Sequence, residues 1–385
     1  MSFLKNSNKV EFFSSVSFMA FLFLMTIFTG AGKVSNLFHL SIMLMMLHWV
    51  IHRKENIFLR GFPWASIGVV TLFLFYFSLA NLWTENPWNI ISTIKHSFYL
   101  IFFVCMVNYC INRYGVLKLH GLIFFGCFIL LLLTFLFVDK STLLTNRLEN
   151  GFFAAPENVI DLGGYFALGI LSALIIARES GKHWIYLPAS LLFIGLLLTQ
   201  SRGPLLALLI ALAVLFAQYK HVHLRHILYT ALSIVVVSLF FYFTDYGSEF
   251  YARIISAYAQ SFIRFGIWQH ALSEAFVHPY FGWGFDKQLT FVNSIGQHVT
   301  TTHSVYVSTF LKGGVVGVLL LASLIINGMY HAYKKFHQGL GLEASIYLFS
   351  LMFFVTQGMF VIGGPGETWV LFWLPLAVVL SSRKS

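Results

Sequence analysis

The sequence predicts an all-α integral membrane protein: one polytopic domain over residues 1–385, with about twelve transmembrane helices. Three observations carry that prediction. Hydrophobic residues make up 58% of the chain and charged residues only 10%, against about a quarter charged in soluble domains. Mean hydropathy is +0.79, and apolar runs near the roughly 20 residues that cross a bilayer core recur along the chain. Basic residues collect in alternate gaps between those runs and not on a soluble module, so the net charge of +10 reads as membrane topology and not as nucleic-acid binding.

In order, the spans fall near 12–30, 34–51, 62–82, 90–111, 119–138, 159–177, 184–199, 204–219, 227–243, 303–328, 342–362 and 367–381. The run after Glu11 lacks a small-x-small cleavage site and is followed at once by a second run, so it is expected to remain as a span. With the N-terminus inside, every inner segment holds two or three basic residues. These are Lys5 and Lys9; Arg53, Lys54 and Arg60; Arg113 and Lys118; Arg178 and Lys182; Lys220 and Arg225; Lys334 and Lys335; Arg383 and Lys384. The short outer turns at 81–89 and 363–367 carry none. Both termini are therefore expected on the cytoplasmic side. Cys105, Cys110 and Cys127 lie within apolar runs without a C-x-x-C pair, which suits buried thiols and not disulfides or metal ligands.

The largest outer segment is the 244–302 loop between the ninth and tenth spans. Within it, "SFIRFGIWQHALSEAF" (261–276) has helical periodicity, with Phe262, Phe265, Trp268, Leu272 and Phe276 on one face. That pattern suits a helix lying at the membrane interface. It should stop at His278-Pro279, where "PYFGWGFD" reads as an aromatic turn.

Candidate site residues gather on the outer face. Arg202 stands in "TQSRGPLL", a short joint between two apolar runs, against the positive-inside preference. Ser201 can cap a helix starting near Pro204. A helix start is mildly unfavourable for an arginine alone, but the two together make a site for phosphate. The other reading is an arginine snorkelling to lipid headgroups. His303 stands in "TTHSVYVSTFLKGGVVG", which starts the tenth span. The start of a helix favours the neutral imidazole that a general base needs; the alternative is an interfacial histidine bonded to headgroups or loop backbone. Arg253 and Arg264 are either further anion ligands or lipid contacts. Arg147 in "TNRLENG" and Lys95 near the start of the fourth span are weaker candidates. Lys312, nine residues past His303, lies about 13 Å down a helix, deep enough to be functional or partner-paired. Gly313, Gly314 and Gly317 after it read as helix-packing contacts. No D-x-D, H-E-x-x-H, P-loop or G-x-S-x-G motif occurs and the outer acids are scattered, which favours a chemistry without metal or other cofactor.

Three segments together resemble the O-antigen ligase and polymerase superfamily. "TQSRGPLLALLIAL" is similar to its S-R-G segment. "RFGIWQHALSEAFVHPYFGWGFD" is similar to its R-x-x-x-W segment ending in h-P-x-x-G-x-G. "HSVYVSTFLKGGVVGVLLL" is similar to its H-[NS]-x-Y segment with a trailing G-x-x-G. They cover residues 196–322, and the twelve-span layout with a large loop before the tenth span is also that of the superfamily. The resemblance implies a GT-C-like fold in the bacterial inner membrane, with short interfacial helices in a periplasmic loop and the active site facing the periplasm. It implies a glycosyltransferase moving O-antigen polysaccharide from undecaprenyl pyrophosphate to a sugar hydroxyl of lipid A-core. Arg202 and Arg264 would hold the pyrophosphate, and His303 would act as base or orienting group in an inverting, metal-independent displacement. Arg253 matches no motif position. Lys312 stands where relatives often carry an acid, and "APEN" replaces a frequent Asn-Pro-Asn. Within the superfamily a ligase is expected ahead of a polymerase or a protein O-oligosaccharyltransferase; the chain ends at "SSRKS" without the outer C-terminal domain many protein-modifying members carry. A secondary transporter is the rival of another class, but transporters place polar groups near the midplane in related halves.

Overall fold

The computed structural model describes residues 2–51, 64–84, 87–139, 147–149, 151–156, 158–217, 262–293 and 296–382. The predicted span at 227–243, most of the first part of the 244–302 loop and Arg253 lie outside the described residues. Among the described residues the architecture is mainly helical: α1 (Ser2–Met25), α2 (Ser35–Ile51), α3 (Trp64–Leu79), α4 (Asn89–Tyr114), α5 (Val116–Phe137), α6 (Val159–Ser180), α7 (Tyr186–Leu198) and α8 (Arg202–Ala217), then α9 (262–275), α10 (Val305–His337), α11 (Gly341–Phe353) and α12 (Leu374–Leu380). A π-helical turn, Trp369–Trp373, leads into α12. A two-residue antiparallel pair, β1 (Phe291–Val292) with β2 (His298–Val299), closes part of the outer loop, with Phe291 opposite Val299.

Among the described residues, six helical segments are long and apolar enough to cross a membrane: Gly32–Ile51, Trp64–Trp83, Asn89–Tyr114, Val116–Phe137, Val159–Ser180 and Val305–His337. Shorter apolar helices cover His183–Leu198, Arg202–Phe216, Gly341–Phe353 and Trp369–Leu380. Leu72, Phe75, Leu132, Leu136, Leu206 and Leu319 all stand exposed on helix surfaces, a surface that suits hydrocarbon and not water. All three cysteines are free and buried.

The centre is aromatic. Trp369 is fully buried with ring centroids 6.0 Å from Phe21, 4.9 Å from Phe38 and 5.1 Å from Phe103, joining α1, α2 and α4 to the last helix. α6 packs against α5, α7, α8 and α11, and α10 against α3 and α11. At one end of the bundle Arg178 on α6 forms a two-pronged ion pair with Glu343 on α11, at 2.8 and 2.6 Å. The 22 residues of α6 span about 33 Å, so the beginning of α6 lies at the opposite end.

Two helices depart from the sequence expectation. The predicted 342–362 span ends as α11 at Phe353, and residues 354–366 run without helix. Gly358, Gly363, Pro365 and Gly366 weaken helix there, and the indoles of Trp369 and Trp373 satisfy the backbone instead, donating to Gly363 O at 3.1 Å and Val361 O at 2.6 Å.

α10 is broken at Gly314, whose φ of 59° and ψ of −161° are non-helical. Only glycine adopts that conformation easily. The break frees backbone groups that the "HPYFGWG" turn takes up. Trp283 N donates to Leu311 O and Gly284 N to Lys312 O, both at 3.0 Å; Val315 N donates to Pro279 O at 2.8 Å and Val316 N to Tyr280 O at 3.2 Å. Tyr76 on α3 adds its hydroxyl to Gly313 O at 2.6 Å. Of the three glycines expected as packing contacts, Gly313 and Gly317 do pack on Phe77, while Gly314 is a backbone hinge point for the turn.

Candidate functional site

Where α6, α10 and α9 begin and α7 and α11 end, the chain builds a cationic cluster. α7 stops at Leu198, Gln200 takes a left-handed φ of 53°, and α8 starts at Arg202. Ser201 serves this helix start by its carbonyl, which accepts from Leu205 N at 3.5 Å. Its hydroxyl is spent elsewhere, in place of the expected side-chain cap. The Ser201 Oγ donates to Val159 O at 3.3 Å and accepts from Arg147 Nη2 at 3.0 Å. Pro204 is thus the third residue of α8 and packs toward Gly163 of α6.

Arg147 is exposed along much of its length, but its head turns back onto the joint, with Nε also donating to Thr199 O at 3.2 Å. Partial burial lowers its pKa, Glu149 opposes that, and Arg202 adds to it. Arg202 itself is exposed at the first position of α8. Arg264 sits half-buried in the first turn of α9; burial, then the charges of Arg202 and Arg147, lower its pKa. Three guanidiniums therefore crowd one another electrostatically, and none makes an ion pair with a carboxylate among the described residues. Such crowding is unfavourable until an anion arrives.

His303 lies half-buried two residues before α10, with a positive φ of 49°. Burial first, and the Arg264 charge second, hold its imidazole below the usual histidine range. The neutral, proton-accepting form is thereby favoured. Two ties fix the turn. Trp268 Nε1 on α9 donates to Thr302 O at 2.9 Å, and Val305 N donates to Phe354 O at 3.2 Å. Arg264 and Trp268 are one helical turn apart, so the R-x-x-x-W spacing links a guanidinium to the backbone beside the histidine. The aromatic face expected on α9 stands exposed at Phe262, Phe265, Leu272 and Phe276, while Ile267, Ala271 and Ala275 are buried beneath.

The remaining candidates lie apart from this cluster. Lys95 is exposed on α4. Lys312 is committed to the kink of α10: its Nζ donates to Phe285 O and, at 2.8 Å, to Lys287 O, and sits 5.6 and 5.7 Å from the Phe285 and Phe360 ring centres. It is partner-paired, by carbonyls and not by an acid. Two buried polar residues that sequence reasoning left aside adjoin the cluster, Asp161 on α6 and Gln357 after α11, each 2% exposed. The signal for Gln357 was present: an uncharged hydrogen-bonding residue inside a predicted span.

Residues 187–322 match the O-antigen ligase family, a segment that takes in Arg202, Arg264, His303 and both strands of the kink-and-turn junction. That match supports the resemblance to the O-antigen ligase superfamily over this segment. An O-antigen ligase of Pseudomonas aeruginosa is 29% identical over 240 residues, covering 58% of this chain and 57% of the relative. The shared region thus spans a little over half of that relative's own length. The family segment is the one that the three sequence motifs marked out, extended on its N-terminal side by α7.

Proposed function

We propose that this protein is an O-antigen ligase of the bacterial inner membrane, transferring O-antigen polysaccharide from undecaprenyl pyrophosphate to a sugar hydroxyl of lipid A-core at the periplasmic face. The observation that carries the reading is the mutual influence of Arg147, Arg202 and Arg264, none in an ion pair with a carboxylate among the described residues, with Arg264 acting on a half-buried histidine whose burial favours the neutral form. A pyrophosphate needs cations in proportion to the charge it gains on leaving, and preorganised cations are most effective where water is partly excluded. Arg202 at the start of α8 adds the helix N-terminus to its own charge.

In this reading the acceptor oxygen attacks the anomeric carbon of the donor. The carbon–oxygen bond to the pyrophosphate breaks, and the bonding pair leaves with the phosphate oxygen. His303 takes the acceptor proton or orients the hydroxyl so that solvent takes it, and a single displacement inverts the anomeric centre. The arginines supply the positive charge that a metal would otherwise bring.

The test is glycan profiling of a deletion strain carrying either the wild-type chain or His303→Ala. The expected result for His303→Ala is free lipid A-core, long glycan retained on the polyprenyl carrier, and normal protein abundance. Core bearing a single repeat unit would instead indicate a polymerase. Loss confined to glycoproteins would indicate a protein O-oligosaccharyltransferase. Undiminished transfer removes His303 from the site.

A further inference from the structure

A glutamine inside an apolar segment has to find partners for both ends of its amide. Gln357 does so in a directed way. Its Nε2 donates to Asp161 Oδ1, which ties the segment after α11 to the third residue of α6. Its Oε1 accepts from Gly358 N at 3.0 Å, which fixes the next peptide in the chain.

That peptide is the surface on which the histidine turn rests. A Cβ placed on Gly358 would lie 2.6 Å from both the backbone nitrogen and Cα of His303, so the two backbones are in direct contact. The left-handed φ of His303 is strained for a residue with a side chain and persists only where the surroundings over-determine it. The same short segment also reaches the arginine joint, since a Cβ on Gly203 would lie 2.5 Å from Thr356 Oγ1. Residues 354–358 therefore form a strut with His303 on one side and the start of α8 on the other.

We propose that Gln357, fixed by Asp161, is a positioning residue that sets the His303 imidazole against the arginine cluster. It touches no reacting atom and acts through Gly358 and the His303 backbone. The proposal rests on the glycan-transfer reading of the site and adds to it the element that holds the histidine in register. Loss of about 1 Å of register in a preorganised site is enough to cost about a hundredfold in rate.

The experiment uses the full chain in detergent or nanodiscs, with undecaprenyl-pyrophosphate-linked glycan as donor and lipid A-core as acceptor, and separates kcat from the donor KM. Gln357→Leu removes both hydrogen bonds. Gln357→Met keeps the length of the side chain and removes both hydrogen bonds without adding a charge, so it decides the matter even where the leucine variant does not fold. Both are expected to lower kcat by about tenfold or more with donor KM within about twofold, since the arginines that hold the donor are untouched. Asp161→Asn retains an oxygen acceptor for Gln357 Nε2 and is expected within about threefold of wild type. A folded Gln357→Met protein with wild-type kcat, or with its loss confined to donor KM, overturns the proposal. So does an Asp161→Asn protein as impaired as Gln357→Leu. His303→Ala in the same assay separates the two levels: full transfer there removes the site reading itself. An inactive His303→Ala beside fully active Gln357 variants removes only the positioning role.

Discussion

Replacing Gly314 by alanine tests the junction that holds the outer loop to α10. The backbone there sits at φ 59°, ψ −161°, a region costing a side-chain-bearing residue about 1–3 kcal/mol. An added Cβ would also overlap the Tyr280 carbonyl, and overpacking of that kind adds about 1–3 kcal/mol. The chain has one escape, which is to straighten α10. Straightening breaks four hydrogen bonds between the kink and the turn, those of Trp283, Gly284, Val315 and Val316, each contributing about 0.5–1.5 kcal/mol net. Two regained helical bonds and the better helix propensity of alanine, about 1 kcal/mol, offset part of that loss. Keeping the kink therefore costs about 2–6 kcal/mol and straightening about 0–2 kcal/mol, so the chain straightens with a destabilisation of up to about 2 kcal/mol. The assay is thermal unfolding in detergent together with amide exchange at Trp283 and Gly284. The expected result is a lower midpoint with faster exchange at those two amides. A Gly314→Ala protein that melts with wild type and keeps both amides protected refutes the account of the kink.

Two further outcomes are expected. Trp268→Phe keeps the ring beside Phe265 but removes the donor to Thr302 O; transfer should fall about two- to tenfold, the worth of one net hydrogen bond, and unchanged transfer would detach the R-x-x-x-W spacing from the histidine turn. The depressed pKa of His303 keeps the neutral form present below the ordinary value of about 6.5, so the acid limb of transfer should fall at a pH under that value. Arg264→Gln, by removing the second cause, should move that limb upward. The same shift makes the unfolded chain take the proton first. Its stability contribution is therefore present above about pH 6.5 and lost as pH falls through that value toward the folded one. A wild-type limb at or above 6.5, or one indifferent to Arg264→Gln, contradicts the assignment.

Arg202, Arg264 and His303 were legible because each is a charged or titratable group beside an apolar run, where its presence needs a reason, and because each stands in a motif with fixed spacing. Arg147 ranked low for lack of such a motif, yet its head lies on the joint through Thr199 and Ser201. Lys312 looked functional by depth alone, and the turn carbonyls of Phe285 and Lys287 give it a structural partner. Sequence cannot show that, because both carbonyls belong to a turn more than twenty residues earlier.

The helical class, the apolar stretches, the buried thiols and the family motifs follow from composition and spacing, since hydrophobic periodicity and helix-terminal chemistry act over a few residues. Tertiary structure alone decided the break at Gly314, the early end of α11 and the course of residues 354–366. It alone brought Asp161 to Gln357 and Gly358 against the His303 backbone. Each of these is a contact between segments far apart in the chain. Each depends on backbone groups whose partners exist only once the helices have packed.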